Sequence, residues 1–203
     1  MKTCLVTGGA GFIGSFLVDT LVTRGYTVRM YDNLDPQVHP GGKRPAHLNQ
    51  EAEFIQGDVR DYDALKHALK GVDVVFHEAA VVGVGQSQYQ IKHYVDVNIG
   101  GTANLLDIIA NERTKVSKIL VAASMSSYGE GQYHCQQCGL IAPPLRPETQ
   151  MAAQNWEIHC PHCDNPAQPL PTGEMKRLEC NSIYAITKKT QEEMVLNIGE
   201  TYG

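Results

Sequence analysis

The sequence predicts an α/β fold, a single parallel sheet doubly wound with helices on both faces. Three observations carry that expectation. Short apolar runs alternate with amphipathic stretches from the first residues onward, the pattern of a parallel sheet built from strand-helix-strand units. Glycines stand at 8, 11 and 14, where the first run turns into the first amphipathic stretch. An acid, Asp32, closes the second run. Taken in order, the runs place strands at 2–7, 27–32, 53–57, 73–77 and 117–123. Between them, periodic apolar positions place helices near 12–24, 61–70, 87–112 and 181–198, the third with a break expected near Gly100-Gly101. Residues 33–50 hold prolines, glycines and histidines without periodicity and read as a surface loop.

The glycines have a chemical reading. Gly8 lets the chain turn tightly, Gly11 lets a pyrophosphate approach the main chain, and Gly14 lets the helix pack on the strand. The helix that follows, with Phe12 and Ile13 in its first turn, points free N–H groups and its positive dipole end at the phosphates. Asp32 stands where a carboxylate accepts from both ribose hydroxyls and repels a 2′-phosphate. The expected cofactor is therefore NAD, bound on a Rossmann-type sheet.

Composition narrows the class. The chain of 203 residues suits one α/β domain with a small insertion, and 42% hydrophobic residues support a packed core. A net charge of -5 argues against a nucleic-acid partner. No apolar run reaches the roughly 18 residues of a membrane span, and Met1-Lys2-Thr3 enters the first strand directly, leaving no room for a signal peptide. A soluble cytoplasmic protein is expected, with cysteines present as thiols or metal ligands rather than disulfides.

Two segments suggest catalysis. In Tyr184-Ala-Ile-Thr-Lys188 the i, i+4 spacing puts a phenol and an ammonium on one helix face. A free tyrosine, with a pKa of about 10, is a poor base at neutral pH; a neighbouring ammonium favours its phenolate. Upstream, Ser124, Ser126 and Ser127 lie just beyond the fifth strand, at the sheet edge where such folds bind ligands. A helix face and a turn serine are the structural alternatives.

These motifs together resemble the extended short-chain dehydrogenase/reductases, in their NAD-dependent epimerase/dehydratase branch acting on nucleotide sugars. The resemblance rests on Thr7-Gly8-x-x-Gly11-x-x-Gly14, Asp32-Asn33-Leu34, Gly57-Asp58-Val59-Arg60-Asp61, His77-Glu-Ala-Ala80, Asn98 with Gly101-Thr102, Ser124 before Tyr128-Gly129, and Tyr184-x-x-x-Lys188. It covers nearly all of the chain outside 130–172. It implies that Asp32 and Asn33 serve the adenosine ribose end, Asp58 and Val59 flank the adenine, and Ala79 and Ala80 line the pyrophosphate and ribose. Asn98 would support the site near Lys188. Ser124, Tyr184 and Lys188 resemble the catalytic triad, and Val84, Gly85 and Ser126 fall where the family contacts the sugar. In the implied reaction Tyr184 takes the C4 hydroxyl proton, Ser124 bonds the same oxygen, Lys188 holds the ribose, and hydride is exchanged with a retained NAD. Dehydratases of the family carry an Asp-Glu pair after the hydroxyl residue; Met125 and Ser126 stand there, which favours 4-epimerisation of a UDP- or dTDP-hexose. A reductase, a dehydratase or a dinucleotide-sensing module are the alternatives. Family members dimerise through two helices each, which 87–112 and 181–198 match, so a homodimer is expected. The family continues into a C-terminal substrate lobe; this sequence stops after the Tyr184 helix, so that lobe is expected to be missing here and the fragment to be inactive alone.

The composition changes at Gly129. From there to about 172 lie seven of the ten prolines, four of the six cysteines and the only tryptophan. Such a stretch needs something to order it. Cys135-x-x-Cys138 and Cys160-x-x-Cys163, 21 residues apart, offer four thiolates for structural zinc in a ribbon-like insertion over 130–172. A redox dithiol pair, a rubredoxin-like iron site and unrelated cysteines are the alternatives. His134, His159 and His162 are expected to face solvent or to sit behind the ligands. Cys4 reads as a core residue and Cys180 as an unassigned thiol. The Ser124–Gly131 stretch followed by this insert looks like a dTDP-L-rhamnose 4-epimerase subgroup.

Overall fold

Five parallel strands organise the first part of the chain in the computed structural model, which describes residues 2–202. They are β1 (Thr3–Thr7), β2 (Thr27–Asp32), β3 (Glu53–Gln56), β4 (Val74–His77) and β5 (Lys118–Val121), in spatial order β3-β2-β1-β4-β5. The first crossover, α1 (Phe12–Thr23), buries Val18 and Leu21 and exposes Phe16, Asp19, Thr20 and Thr23. Gly25, at φ +80, ends it: Gly25 N–H donates to Val22 O and Tyr26 N–H to Leu21 O, the paired bonds of a Schellman cap. The second, α2 (Tyr62–Ala68), starts at Asp61, whose carboxylate accepts from Ala64 N–H.

Because side chains alternate along a strand, β1 sends Cys4 and Val6 to one core and Leu5 to the other. The first core joins them to Val18, Leu21, Val28, Met30 and Leu48; the second joins Leu5 to Tyr31, Leu65, Leu69, Val75, Leu105 and Ile108. The sheet is thus covered on both sides, as the sequence predicts. Residues 33–50 form the expected loop, with one 3-10 turn at Pro40–Gly42.

The third helical region differs in detail from expectation. It opens with single turns α3 (Val84–Ser87) and α4 (Ile91–Tyr94), passes through a π-helical segment Val95–Gly100, and continues as α5 (Gly101–Asn111). Gly100 and Gly101 keep helical φ and ψ. The irregularity is the π segment itself, which ends at Gly100, beside the expected break, and carries the buried Asn98, the kind of local widening often found at functional sites.

The chain divides into two compact units, Met1–Ser124 with Ser182–Gly203, and Met125–Asn181. The first unit ends with its longest helix. In the second, β6 (Gln132–Cys135) pairs antiparallel with β7 (Gly139–Ile141) and with β8 (Gln168–Leu170), and a short α6 (Glu148–Ala152) lies between β7 and β8. Its bounds enclose the composition-marked stretch 130–172. The flanks are tied together: Glu179 N–H donates to Ser127 O and the Lys176 ammonium to Tyr128 O. Buried apolar residues here are few, namely Cys135, Ile141, Ile158, Cys160 and Ala167. The helix that returns to the first unit is α7 (Ile183–Tyr202), capped by Ser182 Oγ, which accepts from Ala185 N–H.

Candidate active site

Parallel pairing aligns the C-terminal ends of the strands. Thr7 stands opposite Tyr31 and His77, and His77 opposite Val121. Beyond this edge opens a cavity of about 490 Å³. Gly8, Gly11, Phe12, Ile13 and Gly14 line it from the loop into α1, Asp32 and Asn33 from the end of β2, and Asp58 and Val59 from beyond β3. Ala79, Ala80, Ala122 and Ala123 follow from β4 and β5, and Tyr184 and Lys188 from α7. Residues from five elements, predicted separately as cofactor or catalytic groups, therefore share one cavity.

The glycine loop is fixed by space as much as by conformation. Gly8 sits at φ +67, and a Cβ there would lie 2.9 Å from Ala79 N. A Cβ on Gly14 would lie 2.1 Å from Gly8 O, inside any allowed contact. No side chain caps α1, whose N-cap is Gly11. The start of this helix is thus open to an anion.

Asp32 is buried and oriented: Oδ2 accepts from Ala10 N–H at 3.0 Å, Oδ1 accepts from Leu34 N–H at 2.8 Å, and His39 Nε2 lies 3.8 Å from Oδ1. Asp58 accepts from the Arg60 guanidinium and from Asn33 Nδ2, and the Arg60 bond first of all holds its carboxyl well below the usual carboxylate range. Both acids are held as preorganised acceptors.

Tyr184 packs edge-on against the Tyr94 ring, with centroids 6.4 Å apart. Lys188 is 3% exposed, and burial brings its ammonium down to about 8, with Glu78 pulling the other way. Its Nζ donates to Gln191 Oε1 at 2.8 Å. Asn98 is fully buried; its Oδ1 accepts from Val81 N–H at 2.8 Å and its Nδ2 donates to Thr187 Oγ1 at 2.9 Å. It therefore ties the loop after β4 to α7 and, against expectation, is not among the residues that line the cavity. Ser124 is half-buried at the end of the first unit. Val84 and Gly85 are exposed on α3, and Ser126 belongs to the turn Met125–Tyr128 of the second unit.

The sequence reading missed what lies behind Lys188. Thr7, His77, Glu78 and Thr102 were visible only as motif members, and Gln191 and His39 carried little signal beyond ordinary helix or loop positions. The i, i+3 spacing of Lys188 and Gln191 was the one available hint.

In the second unit the sulfurs of Cys135, Cys138, Cys160 and Cys163 all lie within 4.8 Å of one another, with Cys135 and Cys163 at 3.5 Å. A tetrahedron with metal–sulfur bonds of about 2.3 Å has edges near 3.8 Å, so the donor set fits a tetrahedral ion. The first pair sits on the β6–β7 turn, where Gly139 has φ +74; there the backbone N–H of Cys138 holds the Cys135 thiol down at about 7. The second pair sits on a turn closed by Cys160 N–H to Asn165 O and Asp164 N–H to Cys160 O. His134 and His162 face solvent, and His159 Nδ1 lies 2.9 Å from Asp164 O. Cys4 is buried in the core.

Residues 4–155 match the NAD dependent epimerase/dehydratase family. A dTDP-L-rhamnose 4-epimerase from Burkholderia thailandensis is 33% identical over 201 residues, covering 96% of this chain and 53% of its own. The UDP-glucose 4-epimerase of Brucella ovis, solved in complex with NAD, superposes with a TM-score of 0.71 at 27% identity over 100% of this chain and 49% of that one. The Thermotoga maritima UDP-glucose 4-epimerase, solved with UDP-glucose, gives 0.70 at 26% identity over 100% and 52%. The chain thus spans about half the length of the relatives it matches. The glycine loop, the acid closing β2 and the Tyr184–Lys188 helix meet in one cavity, and the match extends over most of the chain: it belongs to the NAD dependent epimerase/dehydratase family.

Proposed function

We propose that these residues are the cofactor-binding part of a nucleotide-sugar 4-epimerase that uses NAD and acts on a UDP- or dTDP-hexose. The observation that carries this is the presence of Tyr184 and Lys188 in the same cavity as the open start of α1 and Asp32. Asp32 and Asn33 would hold the adenosine ribose, Asp58 and Val59 the adenine, and Gly11, Phe12, Ile13 and Gly14 the pyrophosphate, with Ala79 and Ala80 against it. Bound NAD would supply the reversible hydride acceptance that inversion at a carbinol carbon needs.

The chain's own groups do the rest. Lys188 is buried enough to give up a proton near pH 8, yet at neutral pH it stays mostly charged. In that form it favours the Tyr184 phenolate through space. Tyr184 then accepts the C4 hydroxyl proton, and Ser124 donates to the same oxygen. Val84, Gly85 and Ser126 would contact the sugar. Met125 and Ser126 leave the position after Ser124 without a carboxylate, so water elimination lacks its acid and epimerisation is favoured over dehydration. The similarity to a dTDP-L-rhamnose 4-epimerase along 96% of the chain supports a dTDP-deoxysugar over other hexoses.

The four cysteines would hold one structural zinc, whose binding would order a unit with little apolar core. A homodimer through the α4–α5 region and α7 is supported by exposed Ile91, Val95, Ile186 and Leu196 on those elements. A cytoplasmic location is supported by the thiol chemistry of the second unit. No helix among the described residues is long and apolar enough to cross a membrane.

The test uses the full gene product with UDP- and dTDP-hexoses, the product followed by NMR. Expected is a C4-inverted sugar with no added cofactor consumed, and loss of turnover in Tyr184→Phe by a factor of about a hundred or more. Accumulation of a stable 4-keto-6-deoxy sugar, or stoichiometric consumption of cofactor, overturns the assignment.

A further inference from the structure

Beneath the cavity floor runs a buried polar chain whose members come from distant parts of the sequence. Lys188 Nζ bonds Gln191 Oε1 at 2.8 Å, and Gln191 Nε2 bonds Thr102 Oγ1 at 2.8 Å. Thr102 Oγ1 lies 2.9 Å from His77 Nε2, and His77 Nδ1 lies 2.8 Å from Thr7 Oγ1. Thr7 Oγ1 accepts from Ala79 N–H at 3.2 Å, beside the glycine loop. Gln191, Thr102 and Thr7 are fully buried and His77 is 1% exposed.

The two ends of this chain fix every proton in it. Thr102 has one hydroxyl hydrogen, and it goes to the Asn98 carbonyl at 2.6 Å, which can only accept. Thr102 must therefore accept from both Gln191 Nε2 and His77 Nε2. His77 then carries its hydrogen on Nε2, and burial, with the Lys188 charge adding to it, keeps the ring neutral down to about 3. Its Nδ1 is left as an acceptor, so Thr7 donates to it, and the Thr7 oxygen is free to take the Ala79 N–H. At the other end the Gln191 amide has one permitted orientation, with Nε2 on Thr102 and Oε1 on Lys188.

We infer that Gln191 is the positioning residue for Lys188, its carbonyl oxygen held in one orientation by the Thr102–His77–Thr7 chain so that the ammonium meets the cofactor ribose without searching. The inference rests on the proposed NAD site and on the ribose-holding role that the family resemblance implies for Lys188. One ammonium N–H is committed to Gln191, and the other two are left for the cavity. A free lysine side chain loses rotamer entropy on being fixed; here that ordering is already complete before a ligand arrives.

The ionisable groups around Lys188 are Glu78 and His77 from the end of β4, Tyr184 one turn earlier on α7, and His93 of α4, which lines the same cavity. The π segment and α5 offer the uncharged Asn98 and Thr102. Changing Gln191 alone thus alters the neighbour that solvates the ammonium most directly.

The test is an NMR titration of the Lys188 side chain, with 13C-labelled lysine in the 203-residue protein, alongside NAD affinity at pH 7. Gln191→Met removes the acceptor and should move the Lys188 titration down by about one pH unit and weaken NAD about tenfold. Gln191→Glu keeps an acceptor and adds charge, so it should move the titration up and retain most of the affinity. A role limited to packing would not produce opposite shifts. Titrations that stay put, or move in the same direction in both variants, overturn the inference; should Gln191→Met not fold, the upward shift in Gln191→Glu decides alone. Lys188→Met separates the two levels. If it leaves NAD binding unchanged, the ribose role of Lys188 fails and the inference with it. If it weakens binding while Gln191→Met does not, only the positioning role of Gln191 is lost.

Discussion

His77 gives the fold a specific weakness to acid. The ring is 1% exposed and both nitrogens are bonded to hydroxyls, and burial foremost brings its pKa from 6.5 to about 3. A histidine held neutral in the folded state takes up its proton on unfolding. Its contribution to stability is therefore complete above pH 6.5 and is lost progressively as the pH falls toward 3. Between pH 7.5 and 5 that linkage amounts to roughly 2 kcal/mol, close to one proton's worth of slope below pH 6. Urea denaturation followed by far-UV circular dichroism at a series of pH values measures the slope. Other groups add to the response to acid, among them Glu78, whose carboxyl burial raises above its ordinary value while Lys188 pulls it down, so the readout is the difference from His77→Gln. Glutamine keeps a donor for Thr102 but does not titrate. Its stability should start lower at pH 7.5 and fall more shallowly, with the gap to the wild type closing by about 2 kcal/mol at pH 5. Parallel slopes in the two proteins would refute the buried, neutral histidine.

Three further outcomes follow from the geometry. Gly14→Ala would drive a Cβ to 2.1 Å from Gly8 O and should destabilise the first unit by about 3 kcal/mol or more, read by thermal denaturation, with loss of NAD binding. Asp32→Asn keeps an oxygen for one backbone N–H but loses the charge, and should lower NAD affinity about tenfold while narrowing the preference over NADP, measured by calorimetry. Elemental analysis should return about one zinc per chain; a strong chelator or Cys138→Ser should melt the second unit, seen in Trp156 fluorescence, while the parallel-sheet unit keeps its transition.

The sheet was legible because its signals are local. Alternation along β1, the Schellman glycine at 25 and the Asp61 cap are each written within a few residues, and the strand ends differ from the reading by one or two positions. The cavity wall was legible for a related reason: a glycine triplet, an acid at a strand end and Tyr-x-x-x-Lys each have a short-range logic. What was not legible is long-range. The bonds from Thr7 to His77 and from Gln191 to Thr102 span 70 and 89 residues, and beyond its i, i+3 spacing from Lys188 nothing near Gln191 in the sequence distinguishes it from Glu192 and Glu193. The π segment was legible in place but not in kind. Gly100-Gly101 marks where it ends, but both glycines stay helical, and the widening runs back from Gly100 around the Asn98 that bonds Val81 and Thr187.

Helix α7 inverts the usual arrangement of a surface helix. Thr187, Lys188 and Gln191 are buried, whereas Ile186 is 45% and Leu196 59% exposed. Burying polar groups is unfavourable unless each finds a partner, and here each does: Thr187 Oγ1 between Asn98 and Tyr184 O, Lys188 on Gln191, Gln191 on Thr102. Apolar contacts are tolerant of a small rotation, because one methyl replaces another. Hydrogen bonds of fixed polarity are not; turning α7 by one residue would bring Ile186 or Lys189 to the place of Thr187 or Lys188 and leave Asn98 and Thr102 without their partners. An unsatisfied buried group costs about 1–3 kcal/mol, so two or three of them outweigh what the exposed Ile186 and Leu196 would gain by turning inward. The polar face therefore sets the rotation of α7, and with it the direction in which Tyr184 and Lys188 address the cavity.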